Sequence, residues 1–102
     1  MNELKQLPTL VYFSAPWCGP CKVMGPIVEQ VTGPMNIGVQ KINVDDEPEL
    51  AEKYGVRSIP TLVLEDREAG KELFRIVGAR PAASLELELQ RALEGREGGT
   101  QA

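Results

Sequence analysis

The two cysteines of this 102-residue chain are its only two, and they stand three positions apart in Trp17-Cys18-Gly19-Pro20-Cys21-Lys22. Their surroundings restrict the fold more than any other feature. Ahead of them Thr9-Leu10-Val11-Tyr12-Phe13 is a continuous run, apolar on both faces, which predicts an interior strand. After them Val23, Met24, Ile27, Val28 and Val31 recur at helical spacing. A Cys-x-x-Cys pair at a strand-to-helix junction reads as a dithiol/disulfide redox site. Cys18 falls at or beside the helix N-terminus, where unpaired backbone N–H groups and the positive end of the dipole favour a thiolate over a thiol. Cys21, about one turn on, faces the same side and lies close enough to close a small disulfide ring.

Cysteines this close cannot staple distant parts of a fold, so a structural disulfide framework is excluded. The chain has no histidine, which removes Cys-His and Ser-His-Asp catalysis and His-based zinc sites together. Two thiolates alone do not complete a tetrahedral zinc site, so no metal is expected. A net charge of −4 with no Lys/Arg cluster argues against nucleic acid. Met1 to Leu7 has neither the basic start nor the apolar stretch of a signal peptide, and no run approaches the roughly 20 apolar residues of a membrane span. An intracellular, cytoplasmic protein is the expectation.

Along the chain, Met1 to Leu7 is expected as a short helical lead-in or a frayed arm that Pro8 ends. The first helix is predicted from about Cys18 to Val31, kinked at Pro26 and stopped by Gly33-Pro34. A second strand over about Ile37–Val44 completes a β-α-β unit and hence a parallel pair. Asp45-Asp46-Glu47-Pro48 then starts a short helix through about Tyr54, ended by Gly55. Thr61–Leu64 and about Lys71–Val77 read as two strands joined by a hairpin loop over Glu65–Gly70. Pro81 opens a last helix whose inner face is Ala82, Leu85, Leu89 and Leu93. One domain over residues 1–94 and a disordered tail over 95–102 are expected.

This β-α-β-α-β-β-α order, with Cys-x-x-Cys opening the first helix, resembles the thioredoxin family. The matching pieces are Trp17-Cys18-Gly19-Pro20-Cys21-Lys22, Pro26, Lys41-Ile42-Asn43-Val44-Asp45, Tyr54-Gly55-Val56-Arg57, Ile59-Pro60-Thr61-Leu62 and Val77-Gly78-Ala79. The likeness spans about Leu10 to Leu93. It implies an α/β thioredoxin fold in minimal form, a central mixed four-stranded sheet flanked by helices. Only about eight residues precede the first strand, where relatives carry a further strand and helix, so the second strand would be an uncovered edge. A second departure is Tyr12, which occupies the position of a buried acidic residue in the family.

The resemblance implies roles residue by residue. Cys18 is the nucleophile and Cys21 the more buried resolving thiol, while Gly19 and Pro20 set the turn geometry and the redox poise. Trp17 is either a core aromatic or part of a lip around the site, and the resemblance favours the lip. Ile59–Pro60 is implied to be a cis bond facing the cysteines, leaving backbone groups to pair with an extended substrate; Gly78 would let that substrate approach. Lys41 either is solvated or points inward beside Tyr12 beneath Cys21, and the Asp45–Glu47 stretch is expected to be a helix start without chemistry. The implied activity is protein-disulfide reduction by thiol–disulfide exchange. It needs no bound cofactor and is recharged by thioredoxin reductase with NADPH behind it, and the chain would act as a monomer on protein disulfides. The alternatives are a thioredoxin-like oxidoreductase with another donor, such as glutathione, and a redox-sensing interaction module.

Overall fold

The computed structural model describes residues 7–101; the expectation for the N-terminal arm, apart from Leu7, lies outside them. Thr9–Ser14 (β1) buries every residue but its last, which requires a strand on each side and cover on each face. Both are present. The sheet order is β2-β1-β3-β4, where β2 is Gly38–Asn43, β3 is Thr61–Asp66 and β4 is Lys71–Val77. β1 runs parallel to β2 and antiparallel to β3, and β3 pairs antiparallel with β4. Among the described residues β2 is therefore an edge, as expected.

The period of two along each strand sorts the core into two layers. Leu10 and Tyr12 of β1 and Leu62 and Leu64 of β3 pack against Met24, Val28 and Val31 of α1 (Gly19–Met35) and Leu85 and Leu89 of α3 (Ala82–Gln101). Val11, Phe13 and Val63 face the other way, onto Ala51, Leu50 and Tyr54 at α2 (Pro48–Lys53). The rings of Phe13 and Tyr54 tilt against each other at 5.1 Å.

Three element ends differ from expectation. Pro34 does not stop α1, which runs on to Met35 and closes at Asn36 in the left-handed conformation (φ 57°), with Asn36 N–H on the Gly33 carbonyl and Ile37 N–H on that of Thr32. Proline removes only its own N–H, and Asn tolerates the left-handed geometry that ends a helix. β3 extends two residues past Leu64 through a bulge at Leu64/Glu65, where Glu65 takes the Tyr54 hydroxyl (2.5 Å) and Arg67 Nε (3.0 Å). α3 is drawn to Gln101, past the Gly95 at which a tail is expected to begin. No helix of the described residues is long and apolar enough to cross a membrane.

Candidate active site

β1 ends at Ser14 and delivers the chain through Ala15-Pro16-Trp17 to the start of α1. Cys18 is the N-cap: its backbone is extended (φ −88°, ψ 109°) and its Sγ accepts the N–H of Cys21 at 3.2 Å. Gly19 and Pro20 fill the first two helical positions, where a proline sacrifices no hydrogen bond. The Cys18 N–H is itself fixed on the Ala15 carbonyl at 3.1 Å. The two sulfurs are joined in a disulfide, with Cα atoms 5.2 Å apart.

The two cysteines are equally covered, at 4% exposure each, so burial does not single out Cys21 as expected. Ala15 clusters with the two cysteines, and Val44 and Ile59 pack against that cluster. The asymmetry lies in hydrogen bonding instead. Cys18 Sγ sits on a helix N-terminal N–H, a donor that stabilises negative charge on that sulfur. Cys21 is held through its carbonyl, which accepts the Tyr12 hydroxyl at 2.6 Å.

Tyr12 is thus buried below the first turn, but on the Cys21 backbone rather than its sulfur. Burial pushes its phenol above the ordinary value of 10.0. Lys41 is its neighbour across the β1–β2 ladder, and both line a cleft of about 350 Å³ with Cys21, Ser14, Lys22 and Asn43. The Lys41 ammonium leaves that cleft for Glu29 on α1; the pair is more than half exposed, which favours the solvated of the two readings of Lys41. Its hydrogen bond and charge lower the Glu29 carboxyl below its usual value.

Trp17 forms a lip. It is 69% exposed, and its indole N–H donates to Asp45 Oδ2 at 2.8 Å. Asp45 therefore belongs to the site and is no mere helix start; α2 begins later, at Pro48. Trp17 and Ile59 line a second cleft of about 340 Å³ with Val56, Arg57 and Ser58. The Ile59–Pro60 peptide is cis, and Pro60 is buried. The Pro60 carbonyl is occupied by Gly78 N–H at 2.8 Å, so it is Ile59, without a backbone partner among the described residues, that offers an edge. Gly78 has φ +97°, which favours glycine there, and beside it Val77 is 55% exposed.

Two further residues carry no mark in the sequence. Met24 Sδ accepts the Arg80 N–H at 3.4 Å, tying α1 to the loop after β4. The Arg80 guanidinium turns back under that loop, with Nη1 3.4 Å from the Val77 carbonyl and 3.3 Å from that of Ala79, while Nε pairs with Glu88 of α3 at 3.0 Å. Among the described residues no group of three or more His, Cys, Asp or Glu is placed to hold a metal.

A sulfur pair that opens and closes across one helical turn carries two electrons by itself, and this geometry defines a thiol–disulfide oxidoreductase. The comparisons with known proteins agree. The thioredoxin family model matches residues 2–91. Thioredoxin of Pyropia yezoensis is 46% identical over 81 residues, covering 78% of this chain and 74% of its own. Thioredoxin 1 of Nostoc sp. is 40% identical over 89 residues, covering 85% and 81%. Among solved structures, a point-mutant thioredoxin of Halobacterium salinarum superposes with a TM-score of 0.78 at 34% identity, over 90% of this chain and 84% of that one. The chain belongs to the thioredoxin family, and its Cys18–Cys21 dithiol serves thiol–disulfide exchange with protein disulfides.

Proposed function

We propose that the chain works as a cytoplasmic, monomeric protein-disulfide reductase with Cys18 as the attacking and Cys21 as the resolving thiol. The observation that carries this assignment is the Cys21 N–H on Cys18 Sγ at the head of α1. The Cys18 thiolate attacks one sulfur of a substrate disulfide and expels the other as a thiolate, leaving a mixed disulfide. Cys21 then attacks Cys18 Sγ, the bond from Cys18 to the substrate breaks, and the closed Cys18–Cys21 ring remains. Two electrons have passed to the substrate, with no bound cofactor in the path. Thioredoxin reductase, fed by NADPH, returns the dithiol.

In this reading Trp17, Ile59, Pro60 and Gly78 receive the substrate, while Gly19, Pro20, Tyr12 and Lys41 shape the response of the two thiols. The apolar lip and the Ile59 backbone support it, since an extended peptide can pair with one while its side chains rest on the other. The test is insulin reduction driven by NADPH and thioredoxin reductase. Steady turnover is expected, with Cys18→Ser inert and Cys21→Ser accumulating mixed disulfides. Preferential alkylation of Cys21 in the reduced chain would reverse the two roles. Turnover with glutathione alone would move the donor elsewhere.

A further inference from the structure

Before Cys21 can attack, it must lose a proton, because the thiolate is the nucleophile. The charged and titratable groups around it come from every neighbouring element. Lys22 follows it on α1, Tyr12 rises from β1, and Lys41 comes from β2 already paired with Glu29. Of the charged groups elsewhere near the site, Arg57 lines the Trp17 cleft, Asp45 is bonded to Trp17, and Arg80 is paired with Glu88. No carboxylate is among the residues lining the Cys21 cleft, and the chain has no imidazole. The lysine ammoniums there are donors with no acceptor to offer. Burial pushes the phenol above its ordinary value, so it keeps its own proton near neutrality.

The phenol is also committed as a donor, to the Cys21 carbonyl at 2.6 Å. That bond falls where the helix is weakest. Pro26 has no N–H for the carbonyl of Lys22, so the turn beginning at Cys21 lacks one bond of its ladder. Tyr12 supplies a tertiary anchor at the adjacent carbonyl.

We propose that Tyr12 is a positioning residue for the second half-reaction: its hydroxyl fixes Cys21 at the wall of the open cleft, and solvent water entering there takes the Cys21 proton in place of a side-chain base. The proposal rests on Cys21 being the resolving thiol. In the step, the Cys21 S–H bond breaks and its proton passes to water. The new thiolate bonds to Cys18 Sγ, and the bond from Cys18 to the substrate sulfur breaks. The departing substrate thiolate takes a proton from solvent, so the dithiol loses the two electrons that the substrate gains.

The experiment mixes the reduced chain with a peptide disulfide, quenches with acid at successive times, and counts mixed and closed disulfides by mass spectrometry from pH 6 to 9. With no side-chain base, resolution in the unaltered chain climbs about tenfold per pH unit toward the ordinary thiol pKa of about 8.5. Tyr12→Phe keeps that slope and slows resolution roughly fivefold at every pH, the worth of one net hydrogen bond, while formation of the mixed disulfide is unchanged. Tyr12→Asp, which places a base in the cleft, flattens the slope near neutrality. If that variant does not fold, the unaltered chain and Tyr12→Phe still decide.

A profile flat from pH 6 to 8 in the unaltered chain overturns the solvent route, and Tyr12→Phe resolving at full rate overturns the positioning role. Either result leaves the reductase reading standing. Absence of any mixed disulfide at Cys18 removes that reading and this inference with it.

Discussion

Arg80 offers a test of how the receiving loop is held. Arg80→Met keeps the aliphatic stem and the backbone N–H on Met24 Sδ, and deletes only the guanidinium. What is lost is the 3.0 Å pair with Glu88 and two long contacts, 3.4 and 3.3 Å, to the carbonyls on either side of Gly78. The side chains of the pair are 34% and 29% exposed, so water screens it, and about 0.5–1 kcal/mol is the reasonable magnitude. The long carbonyl contacts add little to that sum. In the proposed reading the loop receives substrate before chemistry, so the loss should appear in KM, as a rise of about two- to fivefold, with kcat retained. The assay compares a protein disulfide, which spans the loop, with a small disulfide, which does not reach it. Glu88→Gln should reproduce the effect, and the double variant should be no worse than either single one. An unchanged KM for the protein disulfide, or an equal loss with the small one, would refute the loop-bracing argument.

Asp45→Ala frees the Trp17 indole, so the fluorescence anisotropy of this sole tryptophan should fall and kcat/KM drop by about threefold, whereas Asp45→Asn, which keeps an acceptor, should lie between; an unchanged anisotropy would show that packing alone holds the ring. Phe13→Ala removes a fully buried ring from the α2 layer and should cost about 3–5 kcal/mol in urea unfolding, with a loss below about 1.5 kcal/mol meaning that the layer collapses to fill the space. Hydrogen bonding from Arg75 holds the Glu72 carboxyl below its usual 4.5, so near that pH the folded chain binds fewer protons than the unfolded one. The stabilisation is therefore full above pH 4.5 and lost as pH falls through the lower folded value; Glu72→Gln should flatten that acid limb, and an identical limb would show the pair to be fully screened.

Local pattern and special backbone needs were legible in the sequence. Lys71–Val77 is a strand over its predicted range, the leucines at 85 and 89 are fully buried, and the two-sided run at Thr9–Phe13 lies inside the sheet. These follow from periodicity, which needs no knowledge of partners. What escaped depends on partners far away in the chain. Asp45 reads as the acidic start of α2 until the fold brings it across 28 positions to Trp17. Nothing near Arg80 announces Glu88 on one side and Met24, 56 positions back, on the other. Lys41 has the right residue type and strand to serve the thiols, yet Glu29 on the passing face of α1 takes its charge. Pro34 misled for the opposite reason: its strong local preference was overridden by an asparagine two positions on that could end the helix.

The direction of β3 separates the molecule into two ends. Thr61 starts beside the cis proline, and Asp66 finishes the six-residue strand about 17 Å along the sheet at the strand rise. The turn beyond it, closed by Gly70 N–H on the Asp66 carbonyl at 2.8 Å, touches neither the sulfurs nor the lip. That turn is the natural handle of the molecule. A dye, a resin linkage or a fused domain placed between Arg67 and Gly70 leaves the head of α1 facing outward, and the chain can be tethered there while its sulfurs keep exchanging.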